Sequence, residues 1–264
     1  MPLRINLPPT FHEVITARKA VQVGLWVCSG SATAAEIVAS SGCDWVLVDG
    51  EHSPIGLEST LGILRAVGPY PVTPVVRVPV NDPVLIKQFL DLGAQNIMVP
   101  MVHTVADAEA AVAAMRYPPQ GVRGVGSALA RSARWNRVPN YLDTASQHVS
   151  LIVQVESAEA AANATDILAV DGVDAVFIGP SDLAASMGML GQQTHEDVVA
   201  HVLNTIRAAN AVGTPVGVNA FDNEQARYYI DAGADFVAVG ADVQLLASST
   251  AALAEKFGAY NTQN

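Results

Sequence analysis

Cysteines, basic residues and long apolar runs are scarce in this sequence, and each scarcity excludes something. The two cysteines, Cys28 and Cys43, are too few for a disulfide framework and lack the CxxC spacing of a metal-thiolate site, so both are read as reduced thiols of a cytoplasmic protein. Lys and Arg number 14 against 25 Asp and Glu, a formal charge of −11. Such a field repels phosphate backbones and anionic lipid, which argues against nucleic acid or membrane as partners. Holding an anionic small molecule against it needs a local cationic or metal site. No run of about 18 apolar residues occurs, and the opening MPLRINLPPTFHEVITARKA has no continuous apolar stretch of the signal-peptide kind. Neither secretion nor membrane spanning is expected. No linker or low-complexity tract divides the chain, so residues 1–264 are expected to form one domain.

What is present is a strict alternation. Half of the residues are apolar and only 15% are charged, which suits a large buried core. Short runs rich in Val and Ile recur: QVGLWV (22–27), DWVLVD (44–49), TPVVRV (73–78), NIMVPM (96–101), SLIVQV (150–155), DAVFIG (174–179), TPVGVN (214–219) and DFVAVG (235–240). Strands buried on both faces read this way. Between them lie stretches of helical period, among them 82–93, 104–116, 195–213 and 223–234, and several close on a glycine, at Gly93, Gly213 and Gly233, suited to a left-handed cap. Eight strands alternating with helices over 264 residues predict an α/β protein with a single (β/α)8 TIM barrel. The absence of GxGxxG after the first strand argues against a doubly wound dinucleotide-binding sheet. One long interruption, 117–149, has no clean period; a loop this long in a compact barrel is more often functional than idle, and its GVRGVGSA is read as a place for a short extra strand.

In such a barrel the active site lies at the C-terminal strand ends. Polar residues just after the apolar runs are Asp49, Glu51 and His52, then Arg77, Gln154 and Glu156, Ser181 and Asp182, and Asn219. Glu156 and Asp182 follow adjacent strands and suit an oxygen-ligated Mg2+ or Mn2+. The alternative is a solvated Glu156 and an Asp182 that caps a helix. His52 has the chemistry of a general base, with Asp49 three residues earlier to orient it, or it is a solvated loop side chain. Arg77 ends an apolar strand, where its charge must meet an anionic ligand or pair with Asp49 or Glu51. Gln154 either contacts a ligand or belongs to a polar barrel layer, and Trp26 either walls a pocket or packs in the core. A divalent cation, a fixed guanidinium and a base suit enolate chemistry on a 2-oxo acid, whose carboxylate and ketone oxygens chelate a metal.

The segments WVLVDGEHSP (45–54), PVVRVP (74–79), LDLGAQNIMVPMV (90–102), YPPQGVRGVG (117–126), VQVES (153–157) and FIGPSDLAASMG (177–188) run in order across nearly the whole chain. With them the sequence resembles the HpcH/HpaI aldolase family, class II pyruvate aldolases that include enzymes of 4-hydroxy-2-oxo acids and 2-keto-3-deoxy sugar acids. The resemblance implies a hexameric barrel, often with the last helix exchanged between subunits, that uses Mg2+, Mn2+ or Co2+. It implies that Glu156 and Asp182 hold the metal, that His52 is the acid/base residue, and that Arg77 orients the ketone and stabilises the enolate. It further implies that Gln154 touches pyruvate, that the backbone around Ser181 and Asp182 cradles the substrate carboxylate, and that Asp91 supports the histidine, from a neighbouring subunit. Two positions depart from the family pattern: Cys28 in the first strand region, and Asn219, polar where an apolar residue is expected beside the donor. The latter admits hydroxypyruvate beside pyruvate. A CoA-thioester lyase of the same superfamily is the nearest rival and needs a basic nucleotide site that this acidic chain gives little sign of; a non-catalytic metabolite-binding barrel would lack some of these residues.

Overall fold

The computed structural model describes residues 3–17 and 20–258. Eight parallel strands close into a barrel in chain order: β1 (Gln22–Val27), β2 (Trp45–Asp49), β3 (Thr73–Arg77), β4 (Asn96–Val99), β5 (Ser150–Val155), β6 (Ala175–Ile178), β7 (Val216–Asn219) and β8 (Phe236–Ala241). Each lies within two residues of its expected bounds. Helices form an outer layer, and the helix before β4 shows how the local sequence sets one: Asp82 accepts the N–H groups of Val84 and Leu85, Pro83 stands in the first turn, and Gly93 follows the end at φ +91°. Gly213 and Gly233 also take positive φ, +77° and +103°.

Two apolar layers result. Strand residues facing outward pack against the helices, while Trp45, Leu47, Val75, Met98, Ile152, Phe177 and Phe236 fill the barrel itself. The rings of Trp45, Phe177 and Phe236 meet with centroids 5.6–6.1 Å apart. Gly24 makes room for this cluster, since a Cβ there would lie 2.1 Å from the Trp45 ring. Helix Phe11–Ala17 plugs the N-terminal mouth: the Phe11 N–H donates to Asn96 at 2.7 Å, and its ring packs on Trp45 and Phe236.

Two features differ from expectation. Residues 121–126 of the 117–149 segment form no strand; the N–H groups at its start go back to the end of the preceding helix and the residues just after it, Gly121 to Tyr117, Val122 to Ala113 and Arg123 to Arg116. The last helix, Asp242–Gly258, buries none of its residues, although the Asp242 carboxylate ties its start to the Cys28 and Ser29 N–H groups. Val243, Leu245, Leu246, Leu253 and Phe257 are exposed on it.

Candidate active site

Parallel register brings the ends of β2 and β3 level, with Asp49 opposite Arg77. The Arg77 Nε lies 2.9 Å from Asp49 Oδ1, and its Nη1 lies 2.9 Å from Glu51 Oε2 and 3.5 Å from Gln154 Oε1. Its guanidinium sits over the Trp26 ring, 4.5 Å from the centroid. Arg77 is therefore buried, ion-paired and at the site mouth at once. The Glu51 contact has ion-pair distance without hydrogen-bond geometry, and Glu51 Oε2 is a buried oxygen with no donor among the described residues.

Asp49 was expected to orient the His52 ring; it does not. Its carboxylate accepts the Glu51 and His52 backbone N–H groups and the Ser53 hydroxyl, so it folds the loop and holds Arg77. Burial raises its pKa, but the Arg77 hydrogen bond and charge, with those further donors, outweigh it and hold the carboxyl below its ordinary range. His52 projects from the loop with its side chain 67% exposed, its Nε2 3.9 Å from Glu51 Oε2.

Across the mouth, Glu156 is buried at the end of β5. Its Oε1 accepts the Met101 N–H at 2.8 Å and its Oε2 accepts the Gln154 side-chain amide. Gly179 makes the space, since a Cβ there would stand 2.8 Å from Glu156 Oε2. Burial pushes the Glu156 pKa up to about 7 against the Met101 N–H, and the nearby charges of Glu51 and Asp182 add to the rise. The charges of Asp182 and Arg77 act on both Glu51 and Glu156, the first raising and the second lowering their pKa values. Met101, at φ +54°, and Gly179 were not picked out from the sequence; the first acts through its backbone, while the Gly before Pro-Ser-Asp was a visible signal.

Helix Pro180–Ser186 starts at Gly179, so Asp182 is in the first turn rather than at the capping position, and it is exposed together with Ser181. Asn219 accepts the Trp26 indole N–H at 2.9 Å, which gives the polar residue a packing role inside the barrel. Asp91 is placed elsewhere: it ends helix Pro83–Asp91 and lies 3.3 Å from Arg123, with no contact to His52 of its own chain among the described residues.

The sequence profile of the HpcH/HpaI aldolase/citrate lyase family matches residues 22–249. The chain belongs to this family. It is 50% identical over 249 residues to the 4-hydroxy-2-oxo-heptane-1,7-dioate aldolase of Salmonella heidelberg (strain SL476), with 94% of each chain covered. An HpcH/HpaI aldolase/citrate lyase family protein from Burkholderia cenocepacia J2315 superposes with a TM-score of 0.89 at 39% identity, over 93% of this chain and 97% of that one. The HpcH/HpaI aldolase from Desulfitobacterium hafniense DCB-2 gives 0.86 at 27% identity, over 95% and 97%.

An HpcH/HpaI aldolase is a carbon-carbon lyase, and the residues at this mouth exclude some routes for that chemistry. Among the described residues no lysine lies on a strand, since Lys87 and Lys256 are on outer helices, so these residues offer no amine for a Schiff base at the mouth. Burial pushes the Cys28 thiol up to about 11, which disfavours its thiolate. Among the described residues no three His, Cys, Asp or Glu side chains converge as a complete metal site. Glu156 and Asp182 supply oxygen donors of the kind a hard divalent cation takes, and positive charge beside Glu156 would offset the rise that burial, Glu51 and Asp182 impose on its pKa. No described helix is long and apolar enough to cross a membrane.

Proposed function

We propose that this mouth catalyses reversible aldol cleavage and addition between pyruvate, or a related 2-oxo acid such as hydroxypyruvate, and an aldehyde. The Asp49-held guanidinium of Arg77, with Glu51 and Gln154 against it and buried Glu156 accepting from Gln154, carries this reading. Glu156 and Asp182 are the residues that hold a divalent cation, Mg2+, Mn2+ or Co2+. When bound, the cation supplies Lewis acidity at the ketone of the 2-oxo acid and charge to offset its enolate.

The chain's own groups do the rest. Arg77, fixed through Nε and Nη1 and stacked on Trp26, presents guanidinium N–H groups to the ketone oxygen and strengthens that contact as negative charge develops. Its position is set before substrate arrives, so little reorganisation opposes the reaction. Gln154 donates to Glu156 and contacts the donor acid. The N–H groups at Ser181 and Asp182, in the first turn of their helix, receive the substrate carboxylate. In cleavage His52 takes the proton from the 4-hydroxyl as the bond between C3 and C4 breaks, the aldehyde leaves, and the enolate carbon is protonated; synthesis is the reverse. Asn219 and Trp26 close the donor side of the pocket. The 50%-identical relative, named for a 4-hydroxy-2-oxo dicarboxylic acid, supports a hydroxylated 2-oxo acid as substrate class.

The working unit in this reading is a hexamer in which helix Asp242–Gly258 packs on a neighbouring subunit. Its exposed Leu245, Leu246, Leu253 and Phe257 support that, since apolar side chains on a helix with no buried residue are otherwise left in water. Asp91 then meets His52 across a subunit boundary. The test is cleavage of a 4-hydroxy-2-oxo acid by metal-stripped enzyme. Activity that returns with Mg2+, Mn2+ or Co2+ in the native protein and not in Glu156→Ala supports the reading, and full activity in that variant contradicts it.

A further inference from the structure

The opposite mouth of the barrel carries a cationic pocket that aldol chemistry does not use. Pro8 and Pro9, the starts of β3 and β4 and the 117–149 segment enclose a cavity of about 680 Å3. Arg65, Arg131 and Arg134 are in its wall. The Nη1 atoms of Arg131 and Arg134 lie 2.7 and 2.9 Å from where a Cβ on Gly93 would stand, so two guanidinium groups converge over a glycine. Their hydrogen bonds go to neutral acceptors, Arg131 to the Leu92 carbonyl at 3.0 Å and Arg134 to the Arg131 carbonyl. Among the described residues no carboxylate is within ion-pair distance of Arg65, Arg131 or Arg134. Asp44 also lines the cavity, and its carboxylate accepts the Val23 N–H at 2.9 Å.

This arrangement opposes simple electrostatics. The chain has 14 basic residues against 25 acidic ones, yet it gathers three arginines here without a described carboxylate partner. Burial, with the charges of Arg134 and Arg65 adding to it, lowers the Arg131 pKa to about 10. The backbone is strained as well: Arg134, Trp135 and Asn136 follow one another at φ +47°, +54° and +62°, a left-handed conformation that disfavours any residue with a Cβ. Strain of this kind persists where the surroundings enforce it, and it tends to mark sites that hold a ligand.

We propose that this N-terminal pocket binds a phosphate group, free or as a phosphate monoester. A guanidinium fork matches pairs of phosphate oxygens, and two convergent forks with Arg65 beside them suit a dianion of several acceptor oxygens better than a single carboxylate. None of the residues that line the pocket is among those at the aldolase mouth, so occupancy of one does not require the other.

Titration calorimetry of the full-length protein with inorganic phosphate, at constant ionic strength in a phosphate-free buffer, tests this. Saturable binding is expected, unchanged by excess pyruvate, weakened at least tenfold in Arg131→Gln and several-fold in Arg65→Ala, whose exposed position keeps the fold intact. A parallel titration with phenyl phosphate separates the two sources: tighter binding assigns the site to a monoester, equal or weaker binding to free phosphate. No saturable heat, binding that ignores both substitutions, displacement by pyruvate, or malonate binding as tight as phosphate overturns the proposal. So does a change of oligomeric mass in either variant without phosphate binding, which assigns the arginines to a second copy of the chain.

Discussion

Arg77 Nε meets Asp49 Oδ1 at 2.9 Å because parallel pairing of β2 and β3 sets these two residues side by side at the strand ends. The guanidinium is 5% exposed, so removing its partner leaves a buried charge poorly compensated. Asp49→Ala is expected to lower unfolding free energy by about 3 kcal/mol and kcat/KM by about a hundredfold. Asp49→Asn, which keeps the shape, should recover part of the stability and little of the rate. Because the Asp49 pKa is depressed in the fold, its contribution is complete above the unfolded value of 3.8 and is lost as pH falls below it. Denaturant titrations of the three proteins at pH 7 and pH 3, with steady-state kinetics at pH 7, check this.

Glu156 behaves in the opposite sense. Its pKa of about 7 is above the 4.5 of an unfolded glutamate, so the metal-free native state retains a proton that the unfolded chain has lost between those values. The stabilisation is full below about pH 4.5 and declines as pH rises through about 7. Glu156→Gln should flatten that slope. Divalent ion binding near pH 6 should also release a proton from the native protein and not from the variant, as calorimetry in buffers of different ionisation enthalpy reports.

Gly179 is a steric test of the same carboxylate. A methyl group there would come 2.8 Å from Glu156 Oε2 and 3.1 Å from the Gln154 amide, so Gly179→Ala must displace one of them. Stability is expected to fall by about 1–3 kcal/mol. Divalent-ion affinity should fall at least tenfold while the circular dichroism spectrum is kept. Unchanged affinity would separate Glu156 from the metal.

Helix Asp242–Gly258 tests the assembly. Leu246→Glu with Leu253→Glu places charge on two exposed apolar positions and should leave the barrel folded. Sedimentation is expected to show dissociation into smaller species, with loss of activity, as the proposed Asp91 contact to a neighbouring His52 requires. A native protein that already sediments as a monomer contradicts this.

The barrel was legible in the sequence because buried parallel strands write themselves as uninterrupted Val- and Ile-rich runs, and the DWVLVD and SLIVQV segments became β2 and β5 almost residue for residue. The acidic and basic residues at the mouth were legible for the same reason, since each ends such a run or lies within a few residues after it. What each one touches was not. The Asp49 carboxylate turned to the backbone and to Arg77 rather than the His52 ring, a choice set by cross-strand register. The Met101 N–H on Glu156 involves no side chain of Met101, and the Phe11–Ala17 plug is too short to show a helical period.

Proton exchange on pyruvate tests the central claim without knowledge of the aldehyde. Metal-stripped protein is incubated with pyruvate in deuterated water, a divalent ion is added, and the methyl proton signal is followed by NMR. Loss of the signal that requires both the ion and Glu156, and that slows at least a hundredfold in Arg77→Ala, is the predicted result. A methyl signal that persists in the native protein with every ion, for pyruvate and hydroxypyruvate alike, would contradict the assignment of this mouth to enolate chemistry.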